Sequence, residues 1–400
     1  MTFWRLMGYA FYVFGGLVIV FLVLPKVLGL ISRVLRKLRY AIGVILLLAA
    51  IGATYEAIES SREEREPPPG RLVDVGGHKM HLHCTGQGTP TVILESGLWD
   101  DSIVWHSVQP EIAKLTRVCS YDRAGLGYSD PRPDQVPDSR NIARNLHALL
   151  ANAGVNPPYI LVGHSFGGLT MPLFAARYPE QTAGVVLVDP VVPVEWNPPS
   201  EHDRRLTEIG AKVCRRAAFL ARIGLIRFVA FLLTTGAKGP AGRLVRLISR
   251  GTPAESGSVS SPWFWALPAN ERKMASVFWI QEKFAISIAS QLENLPVNAA
   301  RVNALGNYCD KPVVILSART SPQRRREEHA ATARRLPRGI HVLAQRSSHW
   351  IMWEEPELVI RAIQTVADSF EGTIAASGSA ASGSSGLAKS VKDASQVLRD

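Results

Sequence analysis

The sequence predicts an α/β architecture: a mostly parallel sheet flanked by helices, with an inserted helical cap and two apolar segments ahead of it. Three observations carry this expectation. From residue 71 onward, short β-rich runs alternate with stretches of helical spacing, which is the pattern of a parallel sheet covered on both faces. Between residue 190 and about residue 300 the alternation stops, and the chain becomes helical, basic and aromatic, as an inserted cap would be. Before residue 71, two apolar runs each have about the length needed to cross a bilayer core.

Residues 7–24 carry no charge, and residues 40–58 carry only Glu56. Between them lie Arg33, Arg36, Lys37 and Arg39, whereas Arg5 is the only basic residue before the first run. Basic residues stay on the cytoplasmic side of a membrane. Residues 1–66 are therefore expected to form a transmembrane hairpin with its connector in the cytoplasm. The protein would be integral to the membrane, its large domain extracytoplasmic, on the periplasmic or exoplasmic face. A signal segment and a pair of soluble core helices are the competing readings. Pro67, Pro68, Pro69 and Gly70 then break the helix and make a linker over residues 67–70.

Residues 71–370 are expected as the main domain. Residues 71–75 and 79–84 flank Gly76-Gly77 and read as a hairpin. Buried strands are expected over residues 91–94, 117–121, 159–162, 185–188, 313–316 and 341–343. Helices are expected over residues 141–153, 168–177 and 357–370, the first ending at Gly154. Residues 371–400 are rich in Gly, Ala and Ser near their start and are expected to be disordered.

The chain of 400 residues has a formal net charge of +11, which suits an anionic membrane surface or nucleic acid. It carries no helix-turn-helix, zinc-finger or RNA-binding signature, and its basic residues adjoin apolar helices. The bilayer is the expected partner, not nucleic acid. The four cysteines, Cys84, Cys119, Cys214 and Cys309, form no CxxC pair, so no metal site is expected. They allow three disulfide pairings, or four buried thiols.

The chemistry centres on Gly163-His164-Ser165-Phe166-Gly167, which has a strand before it and a helix after it. This is the nucleophile-elbow setting, in which a tight turn lifts a serine above the sheet. A serine hydroxyl needs a base to attack a carbonyl. His349 follows the last strand and succeeds the serine in chain order, whereas His78, His81, His83 and His106 precede it. Backbone amides must hold the developing oxyanion. The expected donors are Phe166, directly after the nucleophile, and Leu98, in the loop after residues 91–94, with Trp99 as the neighbouring choice.

Ser96-Gly97-Leu98, the run from Asp122 to Ser129, the GHSFGG elbow and Ser347-Ser348-His349 together resemble the α/β-hydrolase superfamily over about residues 71–370. The resemblance implies an eight-stranded sheet, a cap between the sixth and seventh strands, no cofactor, and a structural Asp122-Arg123 pair bracing the oxyanion loop. It also implies that Cys84 and Cys119 lie on neighbouring strands, where an exoplasmic site permits a disulfide. Two departures stand out. The oxyanion loop has Ser96-Gly97 where the family often has His-Gly. Residues 317–321, where the family often places its acid, contain no carboxylate.

The histidine needs a carboxylate to fix its tautomer. Asp189, at the carboxyl end of residues 185–188, stands on the edge of the sheet where functional groups gather, and some members of the family resemble this arrangement. The alternative is that Asp189 only caps a turn before Pro190; Glu95 and Glu327 are the other acids considered. A serine nucleophile argues against epoxide hydrolase and dehalogenase chemistry, which uses aspartate there. In the cap, Trp263, Phe264, Trp265, Phe278 and Trp279 either line an acyl site or pack helices. Arg215, Arg216, Arg222, Arg227, Arg243, Arg246 and Arg250 make either a lipid-facing or a solvated face. The expected function is hydrolysis of a small, lipophilic carboxylic ester through an acyl-enzyme. Amides, thioesters and cofactor-free haloperoxidase chemistry could use the same site. The rival reading is a non-catalytic, membrane-anchored binding scaffold.

Overall fold

The computed structural model describes residues 3–63, 68–132, 134–227, 267–268, 272 and 277–378. Its centre is an eight-stranded sheet in the order β1-β2-β4-β3-β5-β6-β7-β8. The strands are β1 (Arg71–Asp74), β2 (Lys79–Thr85), β3 (Thr91–Glu95), β4 (Val118–Tyr121), β5 (Tyr159–His164), β6 (Thr182–Val188), β7 (Val313–Ala318) and β8 (Gly339–Ala344). Only β2 runs against its neighbours; every pair from β4 to β8 is parallel. The β1–β2 hairpin turns at Gly76 and Gly77, both at positive φ, and the Asp74 carboxylate accepts both of their amides.

Alternation within the central strands divides the core into two layers. Ile93, Leu161, Val185, Leu187 and Ile315 face helices α2 (Ser139–Asn152), α3 (Gly167–Arg177) and α7 (Gln323–Arg335), meeting Leu146, Phe174 and Ala333. Val92, Val162, Val186 and Leu316 face the other way, onto Trp105 and onto Val359 and Ile363 of helix α8 (Pro356–Gly378). Both faces of the sheet are dry across β3 to β7, so those strands read as nearly continuous apolar runs, whereas β1 is mostly exposed and β8 alternates. Cys84 and Cys119 are register partners on β2 and β4 and form a disulfide. Cys214 and Cys309 are buried free thiols.

Between β6 and β7 the described chain is helical: α4 (Glu201–Arg222), α5 (Glu282–Glu293) and α6 (Leu295–Asn303). Helix α5 packs on α4, and both lie over the residues that follow β4. Trp263, Phe264, Trp265, Arg243, Arg246 and Arg250 lie outside the described residues. Phe278 packs edge-on against Tyr128, and Trp279 is partly buried beside Leu126 and Phe284.

Two expectations are corrected. The amino-terminal region is one continuous helix, α1 (Phe3–Glu63), rather than two spans joined by a turn. The helix runs on through Pro25 and Gly29 at the start of the connector, and residues 30–40 contain neither Gly nor Pro, while Arg, Lys and Leu propagate a helix well. At 1.5 Å per residue, α1 is about 90 Å long, roughly three times a bilayer core. Among the described residues, one stretch, Lys26–Ile58, is long and apolar enough to cross a membrane. At the other end, α8 runs on to Gly378 instead of stopping at Phe370, because residues 371–378 hold no proline and continue the register. Residues 379–400 lie outside the described residues.

Candidate active site

Ser165 sits at the turn between β5 and α3 with φ 51°, in the left-handed region that a non-glycine residue enters only when its surroundings fix it there. Three hydrogen bonds fix it: the Ser165 amide donates to the Val188 carbonyl at 3.0 Å, and the Ser165 carbonyl accepts from the Gly168 and Val191 amides, each at 3.0 Å. The glycines around it permit the turn. A Cβ on Gly163 would meet the Gly167 backbone at 2.7 Å, and one on Gly168 would meet Pro190 at 2.4 Å. Their absence lets α3 start against the sheet and leaves Ser165 partly exposed at the strand's carboxyl end.

His349 follows β8, on the loop before a single helical turn at Ile351–Glu354. Its Nδ1 lies 2.6 Å from Oδ2 of Asp189, a buried side chain. An ionised carboxylate only accepts hydrogen bonds, so Nδ1 is the donor in this contact and Nε2 is the ring nitrogen left to face the substrate side. Asp189 has φ 40°. Burial alone would raise its carboxyl, but the bond from His349, the Ala318 amide at 3.0 Å and the Ser321 hydroxyl outweigh it and hold the group at about 2. Glu95 and Glu327 are elsewhere: Glu95 pairs with Arg123, and Glu327 is exposed and accepts from Gln323.

Ser165 Oγ makes no hydrogen bond to His349 in this structure; the two residues are tied through the elbow itself. The buried His164 Nε2 lies 3.0 Å from the His349 carbonyl, and the two imidazole rings are 4.6 Å apart. Nucleophile–base contacts are often loose without substrate.

The loop after β3 is clamped from beneath. Arg123 donates through Nη1 to Glu95 Oε1 at 2.6 Å and to the Ser96 carbonyl at 2.7 Å; its Nη2 reaches the carbonyls of Gly97 and Leu98. The same guanidinium lies 5.3 Å from the centre of the Phe166 ring. With carbonyls 96–98 held toward Arg123, the loop's orientation is set, and neither the Leu98 nor the Phe166 amide donates to a protein acceptor among the described residues. Asp122 extends the brace. Its carboxylate accepts from the Ser102 amide at 2.7 Å and the Tyr128 amide at 3.0 Å and contacts His81 Nδ1 at 2.8 Å. The structural part expected of Asp122-Arg123 is visible in these contacts.

Two residues near the site escaped sequence reasoning. Ser321 places its hydroxyl 2.9 Å from each oxygen of Asp189, in the very segment where a carboxylate was sought. His164 stands within the elbow motif, which gives it no role of its own. The signal for Ser321 was present: a small hydroxyl residue stands where the acid is missing. His81, set aside on chain order, is occupied with Asp122. A cavity of about 480 Å³ opens beside the site between Arg123, Ile142 and Asn145 and the cap residues Lys283 and Gln291, but Ser165 and His349 do not line it.

A family model described as the alpha/beta hydrolase fold matches residues 90–356. Among curated proteins, the chain is 31% identical over 130 residues to the 2-hydroxymuconate semialdehyde hydrolase of Pseudomonas sp. (strain CF600), covering 31% of this chain and 44% of that protein. The chain spans less than half the length of such curated relatives. Among solved structures, it resembles a thermophilic esterase from Thermogutta terrifontis, with a TM-score of 0.53 and 21% identity over 75% of this chain and 98% of the other. It also resembles an enol-lactonase from Burkholderia xenovorans LB400, with a TM-score of 0.50 and 19% identity over 76% and 100%. These two structures are likenesses of fold.

Proposed function

The chain belongs to the alpha/beta hydrolase fold family, and on that premise we propose that it is a membrane-anchored serine hydrolase that cleaves a lipophilic carboxylic ester through an acyl-enzyme. The observation that carries this reading is the Asp189–His349 pair at 2.6 Å, held against an elbow whose serine stands at positive φ. Ser165 Oγ attacks the ester carbonyl while His349 Nε2 takes its proton. The charge on the resulting imidazolium is balanced by Asp189, and the oxyanion is held by the amides of Leu98 and Phe166. Collapse breaks the C–O bond, and His349 returns the proton to the departing alkoxide. Water, deprotonated by the same nitrogen, then frees the acid and Ser165.

Anchoring is supported by Lys26–Ile58, whose side chains at Leu28, Val34, Leu38, Ile42 and Leu46 are exposed to surroundings that must be apolar if they are not to cost free energy. The Cys84–Cys119 disulfide suits an extracytoplasmic domain, as does the basic run from Arg33 to Arg39, which immediately precedes the apolar residues 40–58 on the side away from that domain. The bilayer is thus the partner and a small lipophilic ester the substrate. The scaffold reading rested on a missing acid, and the Asp189–His349 contact supports Asp189 in that role instead. The test is labelling of the purified chain by a fluorophosphonate probe. Labelling is expected in the native chain and absent in Ser165→Ala; equal labelling of both would sink the assignment.

A further inference from the structure

Helix α4 of the cap is two-sided along its length as well as around its axis. Its first two turns carry Glu201, Asp203 and Glu208, with Arg204 and Arg205 paired to Glu201. From residue 209 to residue 227 there is no acid at all, only Lys212, Arg215, Arg216, Arg222 and Arg227. Arg215 is paired across the cap with Glu293. Lys212, Arg216 and Arg222 make no ion pair among the described residues; they recur at helical spacing with Phe219, which is 63% exposed, and Leu225, also exposed, follows just past the turn at Gly224 that ends the helix. A basic stripe around exposed apolar side chains is the composition of a helix lying in a bilayer interface.

The acid-free end of α4 is also the end held by α1. Gly224 lies directly on Gly52: a Cβ on Gly224 would fall 2.2 Å from the Gly52 carbonyl oxygen, and one on Gly52 would fall 2.3 Å from that of Ile223. One turn further along α1, Glu56 takes Arg227 in a two-pronged ion pair, Nε to Oε2 at 2.7 Å and Nη2 to Oε1 at 3.0 Å, with both side chains largely buried. Glu56 is the only charge in the second apolar run, and it lies in the last turns of Lys26–Ile58. The opposite face of α4 packs through Ala211 and Cys214 into the cluster that holds Leu98 and Trp99 of the oxyanion loop.

We propose that the carboxyl-terminal half of α4 is a membrane-docking surface, seated by Gly52 and Glu56 of α1 and occupied by anionic phospholipid of the leaflet from which α1 emerges. Phe219 and Leu225 enter the acyl boundary while Lys212, Arg216 and Arg222 meet headgroup phosphates. The acidic start of the helix is turned away from that surface. The cap thereby rests on the bilayer on one side and on the oxyanion loop on the other, so a lipophilic ester can pass from lipid to Ser165 without crossing water. This rests on the membrane-anchored reading above.

The experiment uses the full chain with Cys214→Ala and Cys309→Ala, reconstituted in vesicles of phosphatidylcholine with or without phosphatidylglycerol. An environment-sensitive dye is placed at Phe219→Cys or, as a control, at Glu208→Cys. Expected is a blue-shifted dye at 219, quenched by lipids brominated near the headgroup, and a water-exposed dye at 208. Adding Arg216→Gln and Arg222→Gln should lower the docked fraction in anionic vesicles by roughly fivefold per charge while the chain still floats with the vesicles. A dye at 219 as wet as that at 208, in chains that float, overturns the docking surface alone. A chain that does not float with vesicles overturns the anchor and the docking surface together. Cross-linking of 219 to 219 between copies would show a second chain on this face and likewise overturn the proposal.

Discussion

Asp189→Asn tests the reasoning at its most specific point. Asp189 receives Nδ1–H of His349 at 2.6 Å, the Ala318 amide at 3.0 Å and the Ser321 hydroxyl at 2.9 Å, all on acceptor oxygens. Asparagine keeps one acceptor, and Ala318 and Ser321 both claim it through Oδ1. Its NH₂ is then turned toward His349, where a donor faces a donor. The imidazole escapes by moving its proton to Nε2, the nitrogen that must be free to take the proton of Ser165. Loss of the correct tautomer and of the balancing charge is expected to lower kcat about 10⁴-fold, equivalent to roughly 5 kcal/mol of barrier. Stability changes too. The difference between an ordinary 3.8 and about 2 corresponds to at most about 2 kcal/mol of folding free energy. Because the folded value is depressed, that contribution is present above pH ~4 and disappears as pH falls toward ~2. The native chain should therefore be the more stable of the two at pH 7, and the gap should close in acid. The assay is hydrolysis of p-nitrophenyl esters in detergent micelles, with thermal unfolding over the same pH range. A folded Asp189→Asn variant with kcat within tenfold of the native value would refute the assignment.

Alkaline phosphatase fused after Gly70 should be active in a bacterial host and green fluorescent protein there dark; the reverse pattern would place the domain in the cytoplasm. Asp101 is held up at about 8 by burial and by the Asp122 charge, so it is protonated in the folded chain at neutral pH. A raised folded value stabilises most at low pH and is lost as pH climbs through ~8. Unfolding temperature should thus fall between pH 5 and pH 8 and level off above that, and Asp101→Asn should flatten that fall; a parallel decline in both chains would remove Asp101 as its cause.

The parts of the site governed by local sequence were legible in advance. The elbow needs glycine at positions where a Cβ would strike backbone, and that requirement is written in residues 163–168. The central strands could be placed because both faces of the sheet are buried there, so apolar runs stand out from the loops between them. The shape of the amino-terminal region was not legible, because charge marks which side of a membrane a segment prefers but does not bend a helix. A run such as Arg36-Lys37-Leu38-Arg39 satisfies the positive-inside rule and helix propensity at once, and the lone Pro25 and Gly29 ahead of it do not interrupt the helix. Ser321 and His164 were missed for a different reason: each acts through a contact with a residue more than 130 positions away in the chain, and no local pattern records it.

The proposed placement of the acid after β6 follows from the sheet. Strands β6 and β7 are parallel neighbours in register, with Val188 beside Leu316, so the residue after β6 and the segment after β7 open onto the same edge. A carboxylate on either can face the histidine that follows β8. Placing it after β6 puts Asp189 two residues beyond Leu187 and directly before Pro190, where the backbone is held at φ 40°. It also leaves residues 317–321 free to serve as donors instead of acceptors. Ala318 supplies an amide to Oδ1 and Ser321 a hydroxyl within reach of both oxygens, which keeps a buried charge satisfied beyond its contact with His349. An acid on β7 would need that support from elsewhere. The serine at 321 is therefore the counterpart of the aspartate at 189, and returning a carboxylate to 321 beside Asp189 would set two negative charges within hydrogen-bonding distance of each other in a buried site, which one of them could occupy only by taking up a proton.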